Sequence, residues 1–314
     1  MTEQFKEYTI VRLDANNLHH LQALSLAVWG STSTEEILYL KYYHPESEHA
    51  FLGYFAFDSD GIAVAFQGAC RLVMAYKEAA EIVAQSIDIM THPDHRGKGL
   101  LYYVANKTYQ LCKEKGIIAV MGYANQNSLP ILTQKFGFKV EDQLQAYRID
   151  IPTFPLEQAS LKIPFFKKIY QAYANWIFAN YKIPYQIPYS FSKKEFPILL
   201  REGTLIEYKQ ARGVFSLQIE QTILWVKINR GLFIGDMQCP NEAEWLRVVQ
   251  ILKRCCFWAG IRAIHFQSCR GTKEAAYFDK HYPAFESLPL CYLDFGSSFP
   301  IERYKSTFGD IDIF

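Results

Sequence analysis

The residues with the clearest chemical potential lie in one short loop, Arg96 to Gly99, which reads Arg-Gly-Lys-Gly. An apolar run precedes this loop and a helix-like run follows it. The first turn of a helix presents unpaired N–H groups and partial positive charge, and glycines let the backbone approach an anion closely. The loop is therefore suited to hold a pyrophosphate, with Arg96 and Lys98 adding charge, although short segments of this type also form ordinary solvated turns.

The elements around the loop indicate how it is positioned. Between residues 8 and 151, alternating apolar runs predict strands and helical spacing predicts helices, in the order β-α-α-β-β-β-α-β-α-β. The segment that contains the loop connects two parallel strands, whereas the other neighbouring strands form an antiparallel meander. The predicted fold class is α+β, with a mixed, mostly antiparallel sheet flanked by helices.

The second half of the chain repeats this pattern. Residues 152–200 hold a proline-rich linker and an aromatic helix, Phe165 to Tyr181. Strands return with Leu205 to Lys209, and Asn241 to Ala259 predicts a helix that ends at Gly260 before a short apolar strand. We therefore expect an N-terminal domain over 1–151, a linker and helix over 152–200, and a degenerate copy of the first domain over 201–314.

Composition excludes several classes of function. The 33 Lys+Arg nearly balance the 32 Asp+Glu, so no basic field recruits nucleic acid. The seven cysteines show no Cys-x-x-Cys spacing, which argues against a metal and favours reduced thiols in the cytoplasm. No run of 18 apolar residues predicts a membrane span, and the N-terminus does not read as a signal peptide.

Two blocks of sequence resemble the GNAT superfamily of acyl-CoA-dependent N-acyltransferases. The run IDIMTHPDHRGKGLLYYV resembles the family's strand, Arg-Gly-x-Gly loop and helix, and NQNSLPILTQKFGF resembles its second block. The resemblance covers about residues 8–150 and implies acyl-CoA, most simply acetyl-CoA, as cosubstrate. Within this resemblance the strand Ser86 to Met90 pairs with the pantetheine arm and the loop amides hold the pyrophosphate. The cofactor-binding residues implied are Ile89, Met90, Arg96, Gly97, Lys98, Gly99, Leu100, Leu101, Asn125 and Asn127.

The catalytic residues are less well indicated by the sequence. The family commonly has a Tyr at the position of Thr133, so Tyr123 is the candidate acid for the leaving thiolate, with core packing as its alternative role. Asp88 lies between two isoleucines of a buried strand and is the candidate base. Its alternative is an outward-facing or ion-paired carboxylate. Leu101 also departs from the family, which usually has Gly or Ala there.

These observations predict an N-acyltransferase that acts on the primary amine of a small acceptor, such as an amino sugar or amino acid. In this interpretation the second copy is part of a tandem arrangement and catalysis lies in the first. Two alternatives remain: a Fem-like transferase with an aminoacyl-tRNA donor, and a non-catalytic acyl-CoA-binding protein. The sequence also leaves a homodimer open.

Overall fold

The computed structural model describes residue 5 and residues 7–45, 49–162 and 164–314. The strands along the chain are β1 Thr9–Arg12, β2 Leu52–Phe57, β3 Ala63–Tyr76, β4 Ala79–Thr91, β5 Ala119–Tyr123, β6 Lys139–Asp150, β7 Lys182–Ile183, β8 Ile198–Leu200, β9 Val214–Ile219, β10 Thr222–Ile228, β11 Leu232–Gln238, β12 Ala263–Ser268 and β13 Ala284–Asp294. The helices are α1 Leu18–Trp29, α2 Glu35–Tyr42, α3 Leu100–Glu114, α4 Leu129–Phe136, α5 Leu156–Ser160, α6 Pro164–Phe178, α7 Thr204–Ala211, α8 Glu242–Ala259 and α9 Lys273–His281.

The chain forms two compact units that interleave along the sequence. Unit 1 comprises Met1–Glu141, Pro197–Tyr208 and Pro289–Tyr304, and unit 2 comprises Asp142–Phe196, Lys209–Leu288 and Lys305–Phe314. This division differs from the predicted boundaries at residues 151 and 200. The physical reason is strand pairing, because β8 returns to pair with β3 and the end of β13 returns to pair with β5.

Unit 1 is a mixed sheet with helices on both faces. Its strands follow the order β1-β2-β3-β4-β5-β13, and β4 with β5 is a parallel pair in an otherwise antiparallel ladder. Helices α1 and α2 pack with Phe55 and Phe66, whereas α3 packs with Ala56 and Ala65. Consecutive strand residues face opposite sides, so the two helix groups cover opposite faces. The α+β class and the predicted order of elements over 8–151 are confirmed.

Unit 2 has the strand order β6-β12-β11-β10-β9-β7, in which β11 and β12 are the parallel pair. Helix α8 connects these two strands, as α3 connects β4 with β5, and it ends at Gly260 with a φ of 66°. The core beneath α8 includes Trp245, Leu252 and Phe266, all nearly inaccessible to solvent. The predicted helix over 241–259 therefore matches α8, with Asn241 as its N-cap.

One predicted strand in this half is wrong. The segment Leu205 to Lys209 lies inside helix α7, which follows Gly203 at a φ of 57°. Tyr208 and Lys209 are adjacent and both buried, which is incompatible with the alternation of a half-buried strand. Glu207 in the first turn and Lys209 in the last turn also suit the helix dipole.

Candidate active site

The site begins where β4 and β5 separate. Their parallel ladder contains three pairs, Val83 with Ala119, Ala84 with Val120 and Gln85 with Met121. Beyond Gln85 the two strands diverge, and β5 continues on its other edge with β13. The last part of β4 therefore presents backbone N–H and C=O groups that the β4–β5 ladder does not use, and an extended ligand could pair with them.

A bulge in β4 accompanies this separation. Phe66 pairs with Met90 and Gly68 pairs with Ile87, so Asp88 and Ile89 together lie opposite the single residue Gln67. Asp88 has a φ of 51°, which is left-handed backbone that non-glycine residues seldom adopt. Bulges of this kind bend a strand and redirect its side chains, and they are common beside functional sites. Here the bulge turns Ile89 toward the opening while Met90 stays buried.

The Arg-Gly-Lys-Gly loop joins β4 to α3 through two left-handed glycines. Gly97 has a φ of 78° and Gly99 a φ of 80°, and a Cβ on Gly97 would meet no atom within 4 Å. Gly99 is the N-cap of α3, and among the described residues no side chain caps this end. The first amides of α3, from Leu100 onward, are therefore presented at the loop, as anion binding at a helix N-terminus requires.

Contacts from elsewhere in unit 1 hold this loop in place. The hydroxyl of Tyr8 lies 3.2 Å from Nδ1 of His95 and accepts a hydrogen bond of 3.2 Å from Nζ of Lys98. Nε2 of His95 lies 4.0 Å from a carboxylate oxygen of Asp58. The hydrogen bond with Tyr8 raises the pKa of Lys98. These contacts fix His95, directly before the loop, and Lys98 within it against the residues that precede β1 and follow β2.

A cleft of about 960 Å³ opens in front of the loop. The loop contributes Arg96, Gly97 and Gly99, and Ile89 contributes from the bulge. The remaining wall residues, from α1, β4, α3, the turn before α4 and α4 itself, include Trp29, Thr91, Leu100, Leu101, Tyr102, Asn127, Ile131 and Lys135. This volume is in the range of cofactor and substrate sites, and its walls are mainly apolar with a few polar groups near the glycines.

The comparison with protein families agrees with this geometry. Residues 34–147 match the GNAT acetyltransferase family model. This matched segment contains the bulge, the loop, α3 and the turn before α4. The chain contains a GNAT domain. No curated protein sequence matches the chain.

Solved structures match the fold across both units. A GCN5-related N-acetyltransferase from Kribbella flavida is 8% identical, with 93% of this chain and 72% of that chain covered at a TM-score of 0.55. A conserved protein of unknown function from Enterococcus faecalis is 8% identical, with 91% of this chain and 72% of that chain covered at a TM-score of 0.59. A GCN5-related N-acetyltransferase from Sphaerobacter thermophilus is 10% identical, with 95% of this chain and 98% of that chain covered at a TM-score of 0.53. Identities this low establish a shared fold and nothing about substrates. No helix in the described ranges is long and apolar enough to cross a membrane.

The predicted cofactor residues divide into those at the cleft of the GNAT domain and those behind it. The side chain of Lys98 is bound to Tyr8 and does not line the cleft, whereas Arg96 does. Asn125 accepts hydrogen bonds of 2.9 Å from the amides of Asn127 and Ser128, so its side chain organises the turn before α4. Of the two asparagines, Asn127 is the one that lines the cleft.

Asp88 points away from the cleft of the GNAT domain. Nζ of Lys41 donates to both carboxylate oxygens at 2.8 Å, and the hydroxyl of Tyr42 donates to one of them at 2.6 Å. The side chains of Lys41 and Asp88 are 7% and 12% exposed, so the pair is nearly buried. The carboxylate is thus occupied by two donors of α2, and it fixes the bulge against that helix.

Tyr123 lies at the carboxyl end of β5, past the point of separation. Its hydroxyl is 3.1 Å from the hydroxyl of Tyr304, which is buried. The segment that carries Tyr304 follows β13 and belongs to the same unit as β5. Tyr123 does not line the cleft, but it is partly exposed at the end of the strand that forms one side of the opening.

A buried polar network beneath the cleft was not anticipated from the sequence. Nε2 of Gln67 donates to Oγ of Ser86 at 2.9 Å, and Ser86 lies 3.0 Å from the hydroxyl of Tyr109. Burial raises the pKa of Tyr109 well above its usual range. Gln67 and Tyr109 line a small cavity of about 20 Å³ next to Ile89 and Leu101. The available signal was a glutamine inside the apolar run AVAFQGA, since buried polar groups need partners.

Proposed function

We propose that the protein is an N-acyltransferase that transfers an acyl group, most simply acetyl, from acyl-CoA to the primary amine of a small acceptor. Amino sugars and amino acids are the acceptor classes that the neutral charge balance favours, since nothing in the composition recruits a polyanion. The observation that carries the proposal is the cleft between the separated strands, which ends at a two-glycine loop and an uncapped helix N-terminus.

The cleft fits acyl-CoA at each of its parts. The amides from Gly97 to Leu101 would hold the pyrophosphate, with Arg96 adding charge, because the glycines leave open space there. The unpaired edge of β4 would bind the amides of the pantetheine arm, and Asn127 would donate to them from the facing turn. Leu101 keeps a backbone N–H, so its departure from the family leaves this amide available.

The reaction must form a C–N bond between the amine and the thioester carbonyl carbon and break the C–S bond. The acceptor ammonium must first lose a proton, and the leaving thiolate must gain one. Tyr123 is our candidate for the second step because it lies at the end of β5 beside the opening. Asp88 we assign to positioning, since both of its oxygens already accept hydrogen bonds from α2. A water-mediated proton transfer through Asp88 is the catalytic role that its partners leave open.

A second candidate function is acyl-CoA binding without turnover. It is favoured by Thr133, whose hydroxyl donates to the carbonyl of Leu129 within α4 at 2.9 Å, where family members commonly have a tyrosine. Neither Asp88 nor Tyr123 lines the cleft, which agrees with it too.

We also propose that unit 2 arose by duplication of the GNAT domain. Strands β9, β10 and β11, helix α8, strand β12 and helix α9 repeat the order of β2, β3, β4, α3, β5 and α4. The parallel pair lies on either side of the connecting helix in both. Cys239-Pro240-Asn241-Glu242 replaces the glycine loop, so we place CoA in unit 1 alone.

The cysteines, none of which is disulfide-bonded, suit a cytoplasmic protein.

Turnover with acetyl-CoA and a panel of amines tests the proposal. Glucosamine, single amino acids and spermidine would be incubated with the protein, and CoA and the N-acyl product would be quantified by mass spectrometry. We expect equal amounts of CoA and amide with at least one amine. Tyr123→Phe should lower kcat and leave the KM for acetyl-CoA unchanged. If CoA binds but no amine in the panel is acylated, the binding function replaces the catalytic one.

A further inference from the structure

A second cavity, of about 560 Å³, lies within unit 2 and has no part in the proposed acyl transfer. Helix α6, strand β7 and the neighbouring strands β9 and β10 contribute to its walls. Four cationic side chains line it, and they come from four different places in the chain: Lys167, Lys182, Arg212 and Lys227. Like charges repel one another, so their convergence on one cavity costs energy unless an anion offsets it.

Two of the lysines, Lys182 and Lys227, donate hydrogen bonds to neutral acceptors. Nζ of Lys182 donates to Oδ1 of Asn175 at 2.7 Å and lies 4.3 Å from the ring centre of Phe215. Lys227 and Arg212 both donate to the carbonyl of Ile313, at 3.1 and 3.3 Å. A carbonyl or an amide orients an ammonium group without neutralising it, so the contacts of Lys182 and Lys227 leave positive charge facing the cavity.

Among the described residues that line the cavity, one is acidic. Glu157 is the one acid among the lining residues, and its carboxylate accepts the amide N–H of Arg230 at 2.5 Å while burial raises its pKa. Asp312 is close enough to raise the pKa of Lys227 but does not line the cavity. Burial and then the charge of Arg212 outweigh this effect and lower the pKa of Lys227 to about 7. A bound anion would oppose that shift and favour the charged lysine.

A buried hydroxyl also points to a ligand. Tyr170 lines the cavity and is 5% exposed, and its hydroxyl has no hydrogen-bond partner among the described residues. Burial raises the pKa of Tyr170 beyond its usual range, so the hydroxyl keeps its proton and remains a donor. Buried polar atoms without partners are rare in native proteins because the loss of their hydrogen bonds to water is not compensated.

We propose that this cavity binds a ligand that carries a phosphate monoester group. Lysine ammonium groups and a guanidinium are the usual partners of phosphate, and several converging cations match a dianion better than a single carboxylate. The cavity is larger than the phosphate itself, so the group would be attached to a small molecule or to a lipid headgroup. Exposed apolar side chains on the same helix, Phe165 at 80% and Trp176 at 71%, would suit the lipid source.

Calorimetric titration of the full chain with glycerol 3-phosphate and inorganic phosphate tests the proposal, with glycerol as the uncharged control. The titrations contain saturating dephospho-CoA, which has the pyrophosphate but no phosphate monoester, so the phosphate site proposed for unit 1 is not measured. We expect binding by both phosphates and none by glycerol. Lys182→Met and Arg212→Gln should each weaken binding about tenfold, the equivalent of one charged contact. Lys168→Met is the matched control, because Lys168 lies on α6 beside Lys167 but does not line the cavity.

Two further readouts are specific to the site. Binding should weaken between pH 7 and pH 9, where the monoester is already dianionic but Lys227 loses its proton. Lys227→Met should reduce this pH dependence without abolishing it, because burial also lowers the pKa of Lys182 in the cavity and of Lys209 near Lys227. Co-sedimentation with phosphatidylcholine vesicles containing phosphatidic acid separates the two sources: binding to vesicles that needs Lys182 identifies a lipid headgroup. No binding of either phosphate or of vesicles overturns the proposal, as does equal weakening by Lys168→Met and Lys182→Met.

Discussion

The glycine loop permits a substitution that separates backbone strain from loss of binding. Gly97 and Gly116 have φ values of 78° and 74°, and a Cβ on either would meet no atom within 4 Å. Alanine at either position therefore costs about 1–2 kcal/mol of stability, the penalty for a left-handed non-glycine residue. The positions differ in location, because Gly97 lines the cleft and Gly116 lies past the opposite end of α3, about 22 Å along the helix axis.

We expect the two variants to unfold at similarly lowered temperatures and to differ in CoA affinity. At Gly97 the new methyl group would occupy the space in which a pyrophosphate oxygen meets the loop amides. Loss of one such charged hydrogen bond is worth about 1.5–3 kcal/mol, or roughly a 10- to 100-fold increase in Kd. At Gly116 the Kd for CoA should stay at the wild-type value.

Isothermal titration calorimetry with CoA, beside thermal unfolding of the same samples, measures both quantities. Pantetheine, which has no pyrophosphate, is the ligand control, and its affinity should be the same for both variants and the wild type. Unchanged CoA affinity in Gly97→Ala refutes the assignment of the loop. Equal loss of CoA affinity in Gly116→Ala would instead show that the loss follows general strain in α3.

Three further predictions follow from charged groups in the two units. Arg96→Gln should raise the Kd for CoA about tenfold, and the increase should be smaller at high salt because salt screens the charge of Arg96. Lys98→Gln should change the Kd little, because the side chain of Lys98 is bound to Tyr8. Calorimetry at two salt concentrations measures both effects. Asp88→Asn should lower the free energy of unfolding by about 3 kcal/mol in urea, since it leaves the ammonium of Lys41 buried without its carboxylate, and an unchanged midpoint would contradict this. Burial raises the pKa of Glu274 to about 7 from an unfolded value near 4.5, so the free energy of unfolding should fall by about 3 kcal/mol as pH rises through that window. Glu274→Gln should lack this fall, as urea titrations at pH 5 and pH 7.5 would show.

The sequence was sufficient for the parts of the fold that depend on local pattern. The Arg-Gly-Lys-Gly loop, the helix after it and the apolar strand Ile117 to Tyr123 correspond to the loop, α3 and β5, because glycine chemistry and periodicity determine them locally. The family resemblance implied that the strand Ser86 to Met90 pairs with a ligand, and the short ladder from Val83 to Gln85 leaves that edge of β4 unused by β5.

The parts that the sequence could not supply depend on long-range pairing. Strand β6 pairs with β12 from residue 145 onward, and the end of β13 pairs with β5, so part of each of these strands lies in a different unit from the helix that precedes it in the chain. No local sequence pattern specifies which distant strand pairs with the edge of a given strand. The partners of Asp88 are another example, since only the bulge at φ 51° and the position of α2 bring Lys41 to it.

The most direct test of the central claim is a crystal structure of the protein with acetyl-CoA. The account predicts pyrophosphate oxygens within hydrogen-bond distance of the amides from Gly97 to Leu101, and a pantetheine arm that runs along β4 from the loop toward Ser86 and Tyr123. Density for the cofactor in any other part of the chain, with this cleft filled only by solvent, would contradict it.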